Sequence, residues 1–270
     1  MSMKLNKFLP AILLFIFATI GNAQDENNTL GTLITDRPDA TESPNTIPKG
    51  FIQVETGAFF ESFEKDNIKM ENFTLNTTLI RLGLLDNLEL RLGWDLAEGK
   101  LKNNGNTTEK SKGLSPLLFG AKIGIAKEQN GWPEVGFLGH LMLPFSASED
   151  YKPETTGVDF RFAFAHTLSE NSSLSYNLGA VWEGDNPEAA YVYTIAYGQG
   201  FTDEFGFYIE LYGDLPENSS ANHLWDAGLT YLLSDSVQLD ATVGTSLTEG
   251  QDLLLSGGIS FRIPTKNNQQ

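Results

Sequence analysis

Cysteine is absent from the 270 residues, histidine occurs three times, and lysine plus arginine total 18 against 35 aspartates and glutamates. Without cysteine there is neither a disulfide framework nor a thiolate metal site. A formal net charge of −17 excludes a protein whose task is to coat nucleic acid, because neutralising phosphates requires clustered cations. Long apolar runs are missing too. The longest, residues 8–20, falls short of the roughly 20 residues that a helix needs to cross the hydrocarbon of a bilayer. What remains in quantity is 40% hydrophobic residues and 26 glycines, too much apolar material for an acidic disordered chain and enough length for one large domain.

The N-terminus has a plain reading. Lys4 and Lys7 precede or flank the apolar run, and Gly21-Asn22-Ala23 places small residues where a signal peptidase reads. The expectation is a signal peptide over residues 1–23, cleaved after Ala23. Export without cysteine suits a Gram-negative envelope better than a disulfide-forming extracellular domain.

Beyond Ala23 the dominant signal is period two. In Leu88-Glu89-Leu90-Arg91-Leu92-Gly93-Trp94-Asp95-Leu96 every even position is apolar and every odd position is polar or glycine, the mark of a strand with two unlike faces. The same alternation runs through 158–164, 174–180 and 237–243. Turn signals divide the chain into twelve strands, at about 51–64, 68–82, 87–98, 114–127, 133–145, 156–168, 173–183, 189–201, 205–214, 222–233, 236–246 and 252–263. Most are longer than the five or six residues usual in soluble sheets and match the roughly nine to eleven of a tilted membrane-crossing strand. Tight connections such as Leu85-Asp86-Asn87 and Gln129-Asn130-Gly131 alternate with longer polar ones at 99–113, 146–155 and 215–221. This predicts an all-β fold, an antiparallel up-and-down transmembrane β-barrel of about 12 strands over residues 51–264, with a polar C-terminal tail at 265–270. Aromatic residues near strand ends, among them Phe60, Trp132, Phe145, Trp182, Tyr191, Phe201, Phe205 and Trp225, suit the level where headgroups meet hydrocarbon. A soluble β-sandwich would also alternate, but it leaves open edges that a closed barrel abolishes.

Residues 24–50 form an extended polar segment ahead of the barrel. Its core, Thr35-Asp36-Arg37-Pro38-Asp39-Ala40-Thr41-Glu42-Ser43-Pro44, followed by Pro48-Lys49-Gly50 and Gln53-Val54-Glu55, is the most distinctive run in the chain. With Asp226-Ala227-Gly228-Leu229-Thr230-Tyr231 and Gln238-Leu239-Asp240, it resembles the bacterial outer-membrane transporter family named for the MetA pathway of phenol degradation. The resemblance covers nearly the whole chain after residue 23. It implies a β-barrel envelope protein that transports small molecules, aromatic or hydrophobic compounds among them, and it brings no catalytic residues. On the residues alone, the prolines and the mixed charges of Asp36, Arg37, Asp39 and Glu42 make the segment a non-strand element. Two readings stand open: a periplasmic lead-in or tether, and a plug whose charges find partners in the lumen.

Taking the polar face of each strand as lumenal places Glu55, Glu89, Arg91, Asp95, Lys122, His140, Asp159, Arg161, Glu183, Glu210, Asp226, Asp240, Asp252 and Arg262 inside. Charges inside barrels commonly pair across strands and hold the lumen polar. Nine of these are acidic and four are Lys or Arg, a surplus that favours cations or neutral solutes over anions. Twelve strands lie between a barrel filled by side chains and a wide aqueous porin, so the lumen suits small solutes. No serine sits in a nucleophile motif, and no histidine spacing makes a metal site. Neither an enzyme nor a metal or other cofactor is expected. The sequence therefore reads as an outer-membrane channel or transporter for small molecules. Its expected partners are outer-membrane lipid, the barrel assembly machinery and an unidentified solute, with no nucleic acid. The alternative is a non-transporting surface barrel with a structural or partner-binding role.

Overall fold

The computed structural model describes residues 31–265. The expected signal peptide, residues 24–30 and all of the tail after Thr265 lie outside the described residues. The strands are β1 (Phe51–Lys65), β2 (Ile68–Leu85), β3 (Leu88–Asn103), β4 (Asn106–Leu114), β5 (Leu117–Ala126), β6 (Glu134–Leu143), β7 (Gly157–Ser169), β8 (Ser172–Trp182), β9 (Ala190–Gly200), β10 (Phe205–Pro216), β11 (Asn222–Ser234), β12 (Val237–Ser246) and β13 (Gln251–Pro264).

All the strand pairings are antiparallel, and the first strand closes the ring on the last: β1 pairs with β2 on one side and with β13 on the other, in register from Phe51 opposite Pro264 onward. The described strands number thirteen, but β4 and β5 share one place in the wall. β5 pairs with the first half of β3, and β4 with its second half. Ser115-Pro116 separates them, because proline has no N–H to give the ladder. The result is a closed barrel of twelve strands around its circumference.

One expectation needs correction. The segment 99–113 is not an irregular loop. β3 runs on to Asn103 and turns through Asn104 and Gly105 at φ 48° and 79°, and β4 then descends beside it. Asn-Gly with both residues at positive φ is the favoured two-residue hairpin turn, matching the right-handed twist of the strands it joins. The connection after β6 is also more ordered than a plain loop, with single 3₁₀ turns at Pro144–Ser146 and Glu149–Tyr151. The Asp185 carboxylate accepts the backbone N–H groups of Glu154 and Thr155 at 2.9 Å, tying that connection to the one after β8.

Burial is inverted relative to a soluble protein. Large apolar side chains on alternate positions face out, including Phe119, Ile123, Leu141, Phe162, Leu178 (55% exposed), Ile195, Ile209, Leu229, Val243 and Leu255. So large an exposed apolar band demands a non-aqueous neighbour, and a band around a closed barrel fits acyl chains. The buried positions are instead dominated by Gln53, Glu55, Arg81, Glu89, Arg91, Lys122, Asn177, Glu210, Asp226 and Asp240. Both termini of the wall, Phe51 and Pro264, lie at the end that carries the tight turns.

Candidate functional site

The interior is filled at the tight-turn end by the chain's own residues 33–50. The Leu33 N–H binds the Asp235 carbonyl in the β11–β12 turn at 2.8 Å, and Thr46 reaches the Asp86 carbonyl in the β2–β3 turn. Between these anchors the segment rises into the lumen and returns, then enters β1 through Pro48 and Gly50, whose N–H binds the Gly83 carbonyl at 3.0 Å. It contacts side chains of β1, β2, β3, β5, β7, β8, β9, β10 and β12. Only a segment inside the ring can touch so many of its strands.

Its acids meet a basic wall. Asp36 receives Lys122 Nζ at 2.7 and 2.9 Å, Arg81 Nη1 at 2.9 Å and Arg91 Nη1 at 3.2 Å. Glu42 takes both terminal nitrogens of Arg91, at 2.7 and 2.9 Å, and Lys122 at 3.2 Å. Burial opposes ionisation of Glu42, but Arg91 and Lys122 more than offset it and hold its carboxyl well below the usual carboxylate range. Glu55 and Glu89 complete the cluster through Arg81, at 2.8 Å each. Arg81, Arg91 and Lys122 are essentially inaccessible, which is tolerable only because every cation has more than one carboxylate.

The opposite wall is acidic. In ring order β10 and β11 face β3 and β5 across the lumen, and β10, β11 and β12 carry Glu210, Asp226 and Asp240. Here the segment presents donors. Arg37 is bidentate to Asp240 at 2.8 and 3.2 Å. The Ala40 N–H gives to Glu210 at 2.7 Å, joined by the Thr41 hydroxyl, whose oxygen also lies 2.7 Å from the Thr194 hydroxyl. The Asn177 amide brackets the Glu42 backbone, accepting its N–H at 2.7 Å and donating to its carbonyl at 2.8 Å. Close packing needs glycine where the segment passes nearest: a Cβ added at Gly83 would overlap the carbonyl oxygens of Ile47 and Pro48, and one at Gly136 would lie 2.8 Å from Pro44.

Above the segment, on the long-loop side, lies a cavity of about 350 Å³. Pro38, Asp39 and Ala40 form its floor, and Phe59, Glu61, Thr74, Thr77, Asp95, Tyr212, Asp226 and Leu254 line it. Burial, and then the nearby Glu210 and Asp226, hold the Asp39 carboxyl well above the ordinary range.

The sequence-derived lumen residues divide as follows. Glu55, Glu89, Arg91, Lys122, His140, Asp159, Glu210, Asp226, Asp240 and Arg262 are buried, Arg161 reaches the Ala40 carbonyl and Asp95 lines the cavity. Glu183 is misplaced: β8 ends at Trp182, and Glu183 is exposed in the turn that its carbonyl closes with the Asn186 N–H. Asp252 is misplaced as well. A bulge skips it, Ser62 opposing Leu253 and Phe63 opposing Gln251, so Gln251 takes the inward place and Asp252 is exposed. A single inserted residue reverses strand parity. Arg81, absent from that set, is fully buried and pairs with three carboxylates, as Arg91 does. Its signal was present in the chain, a lone arginine amid Leu79-Ile80 and Leu82-Gly83-Leu84-Leu85.

Residues 35–263 match the family model described as "Putative MetA-pathway of phenol degradation". The chain belongs to that family. The match takes in the lumenal segment from Thr35 along with the wall. No curated protein matches the chain. Among solved structures, an outer-membrane channel from Pseudomonas putida F1 is similar with a TM-score of 0.68 at 12% identity, over 84% of this chain and 100% of that one. The translocator domain of the autotransporter NalP from Neisseria meningitidis gives 0.52 at 9% identity, over 94% and 96%. Likeness at such identities is likeness of fold, and the fold is that of outer-membrane barrels.

Proposed function

We propose that the protein is an outer-membrane channel for small solutes, closed at rest on its periplasmic side by its own residues 33–50. The observation that carries this reading is the segment spanning the lumen between a basic and an acidic wall, with a solute-sized cavity above it. Tight turns and both wall termini mark the periplasmic end in barrels of this type. The family suggests aromatic or hydrophobic compounds as cargo. The acidic residues around the cavity favour cations and neutral molecules over anions.

The reading is non-enzymatic. His223 Nδ1 lies 2.7 Å from the Tyr193 hydroxyl, His166 stacks on Tyr176 and His140 faces Asp159 at 3.5 Å, so each imidazole is engaged away from any serine nucleophile. Insertion falls to the barrel assembly machinery, with lipid against the apolar band.

Planar-bilayer conductance tests the reading. The intact chain is expected to be closed or to pass only small steps. A double Asp36→Asn/Glu42→Gln variant, and a chain lacking residues 33–47, are expected to open to larger ones. Full-sized steps from the intact chain, or silence from both altered chains with insertion verified, would refute it.

A further inference from the structure

The cavity above the segment gathers four carboxyl groups. Asp39 lies in its floor and Glu61, Asp95 and Asp226 in its sides. Among the described residues no lysine or arginine forms an ion pair with any of these four. Arg37 lies over the Phe59 ring that lines the cavity but is committed to both oxygens of Asp240. Glu61 accepts from Gln251 Nε2 at 2.7 Å. Asp226 is only 2% exposed and is supported by the Tyr208 hydroxyl, yet its Oδ1 has no hydrogen-bond partner. A buried carboxylate oxygen left without a donor is costly, so a donor brought to the Asp226 carboxyl from the cavity it lines would be favoured.

The rest of the lining narrows the ligand. Phe59, Leu254 and Pro38 offer apolar surface beside the carboxylates. Among the described residues no three acidic or histidine side chains converge to hold a metal ion. A cavity of about 350 Å³ falls at the small end of ligand sites. An anion would face several carboxylates with no free cation, whereas a bare metal ion would leave the apolar faces unused.

We propose that this cavity binds a small organic monocation, a primary ammonium on a compact apolar body, with its N–H groups donating to Asp226 and Asp39 and its body against Phe59 and Leu254. This deepens, and rests on, the reading of the lumen as a solute path. Charge-assisted hydrogen bonds to a desolvated carboxylate are the stronger kind, and the ring face adds attraction for the cation.

Isothermal titration calorimetry of the folded full chain in detergent tests it, with benzylammonium as probe and benzyl alcohol and benzoate as controls of similar shape. Saturable one-site binding of benzylammonium is expected, with benzyl alcohol at least about tenfold weaker and benzoate silent. Asp226→Asn is expected to weaken benzylammonium by about tenfold or more in a barrel that still shows heat-modifiable gel mobility. Should that variant fail to fold, Asp39→Asn, which removes a carboxyl crowded by other acids, gives the same readout. Equal affinity for amine and alcohol, or unchanged affinity in the foldable variant, would overturn the proposal. Calorimetry needs no conduction, so binding of the amine by the intact chain together with silence from both segment-altered chains sinks the channel reading and keeps the site. A chain that conducts without binding does the reverse.

Discussion

An Asp36→Asn substitution removes the one carboxylate that touches all three buried cations of the basic wall, Lys122, Arg81 and Arg91. The side chain keeps its shape, and its remaining carbonyl oxygen still suits the Ser43 N–H that Asp36 Oδ1 accepts at 3.0 Å. What goes is charge. Breaking a buried ion pair costs about 3–5 kcal/mol. Glu42, Glu55 and Glu89 stay in contact with the same three cations, so the lower figure of about 3 kcal/mol applies, which raises the undocked fraction of the segment on the order of 100-fold. The absence of cysteine makes this measurable with one thiol. Ser43 is the place for it, because its Oγ is buried and makes no hydrogen bond, so Ser43→Cys sacrifices no contact. Labelling by a hydrophilic maleimide then follows the open fraction wherever reclosing outpaces reaction, as with cleavage of transiently opened proteins. A Ser43→Cys/Asp36→Asn chain is expected to label about 100-fold faster than Ser43→Cys alone. Equal rates in two verified barrels would show that the charge cluster does not hold the segment, and the plug would then have to be held by its backbone and threonine contacts.

Three further outcomes follow from the same geometry. Gly83→Ala, whose methyl would overlap the Ile47 and Pro48 carbonyl oxygens, is expected to speed Ser43→Cys labelling by roughly tenfold through a shifted segment base; an unchanged rate would mean that the base yields freely. Asp39, whose carboxyl is held well above the ordinary range by burial and by Glu210, should oppose docking increasingly as pH rises from the usual Asp value and fully once above its raised one. Asp39→Asn is therefore expected to label more slowly than its parent at about pH 9 and equally at about pH 4. The opposite trend would refute that sign. Ile209→Arg puts a charge on the lipid face at an exposed apolar position and should lower unfolding stability in liposomes by about 2–4 kcal/mol. A loss near zero by urea titration would place that position outside the hydrocarbon.

Period-two alternation carried the barrel because each strand has one face toward polar lumen and one toward lipid, a contrast visible residue by residue in 88–96. The plug was harder to read because its evidence is non-local. Asp36 pairs with a lysine 86 positions away and Arg37 with an aspartate 203 away, and no local pattern records such distances. Asp252 was lost to a bulge that reverses parity without changing composition. The β3–β4 hairpin, like Arg81, was an avoidable miss. Asn104-Gly105 is a strong turn signal, masked by the surrounding asparagines, threonines and lysines that read equally well as loop.

The two walls described above differ in sign across the width of the barrel and not along its length. With residues 33–50 withdrawn, Arg81, Arg91 and Lys122 on one side would look across open space at Glu210, Asp226 and Asp240 on the other. A solute passing through would meet a sideways field that turns a dipole broadside and draws cations and anions into separate lanes. Such a passage would discriminate by how a molecule's charges are laid out and by its orientation as much as by its size.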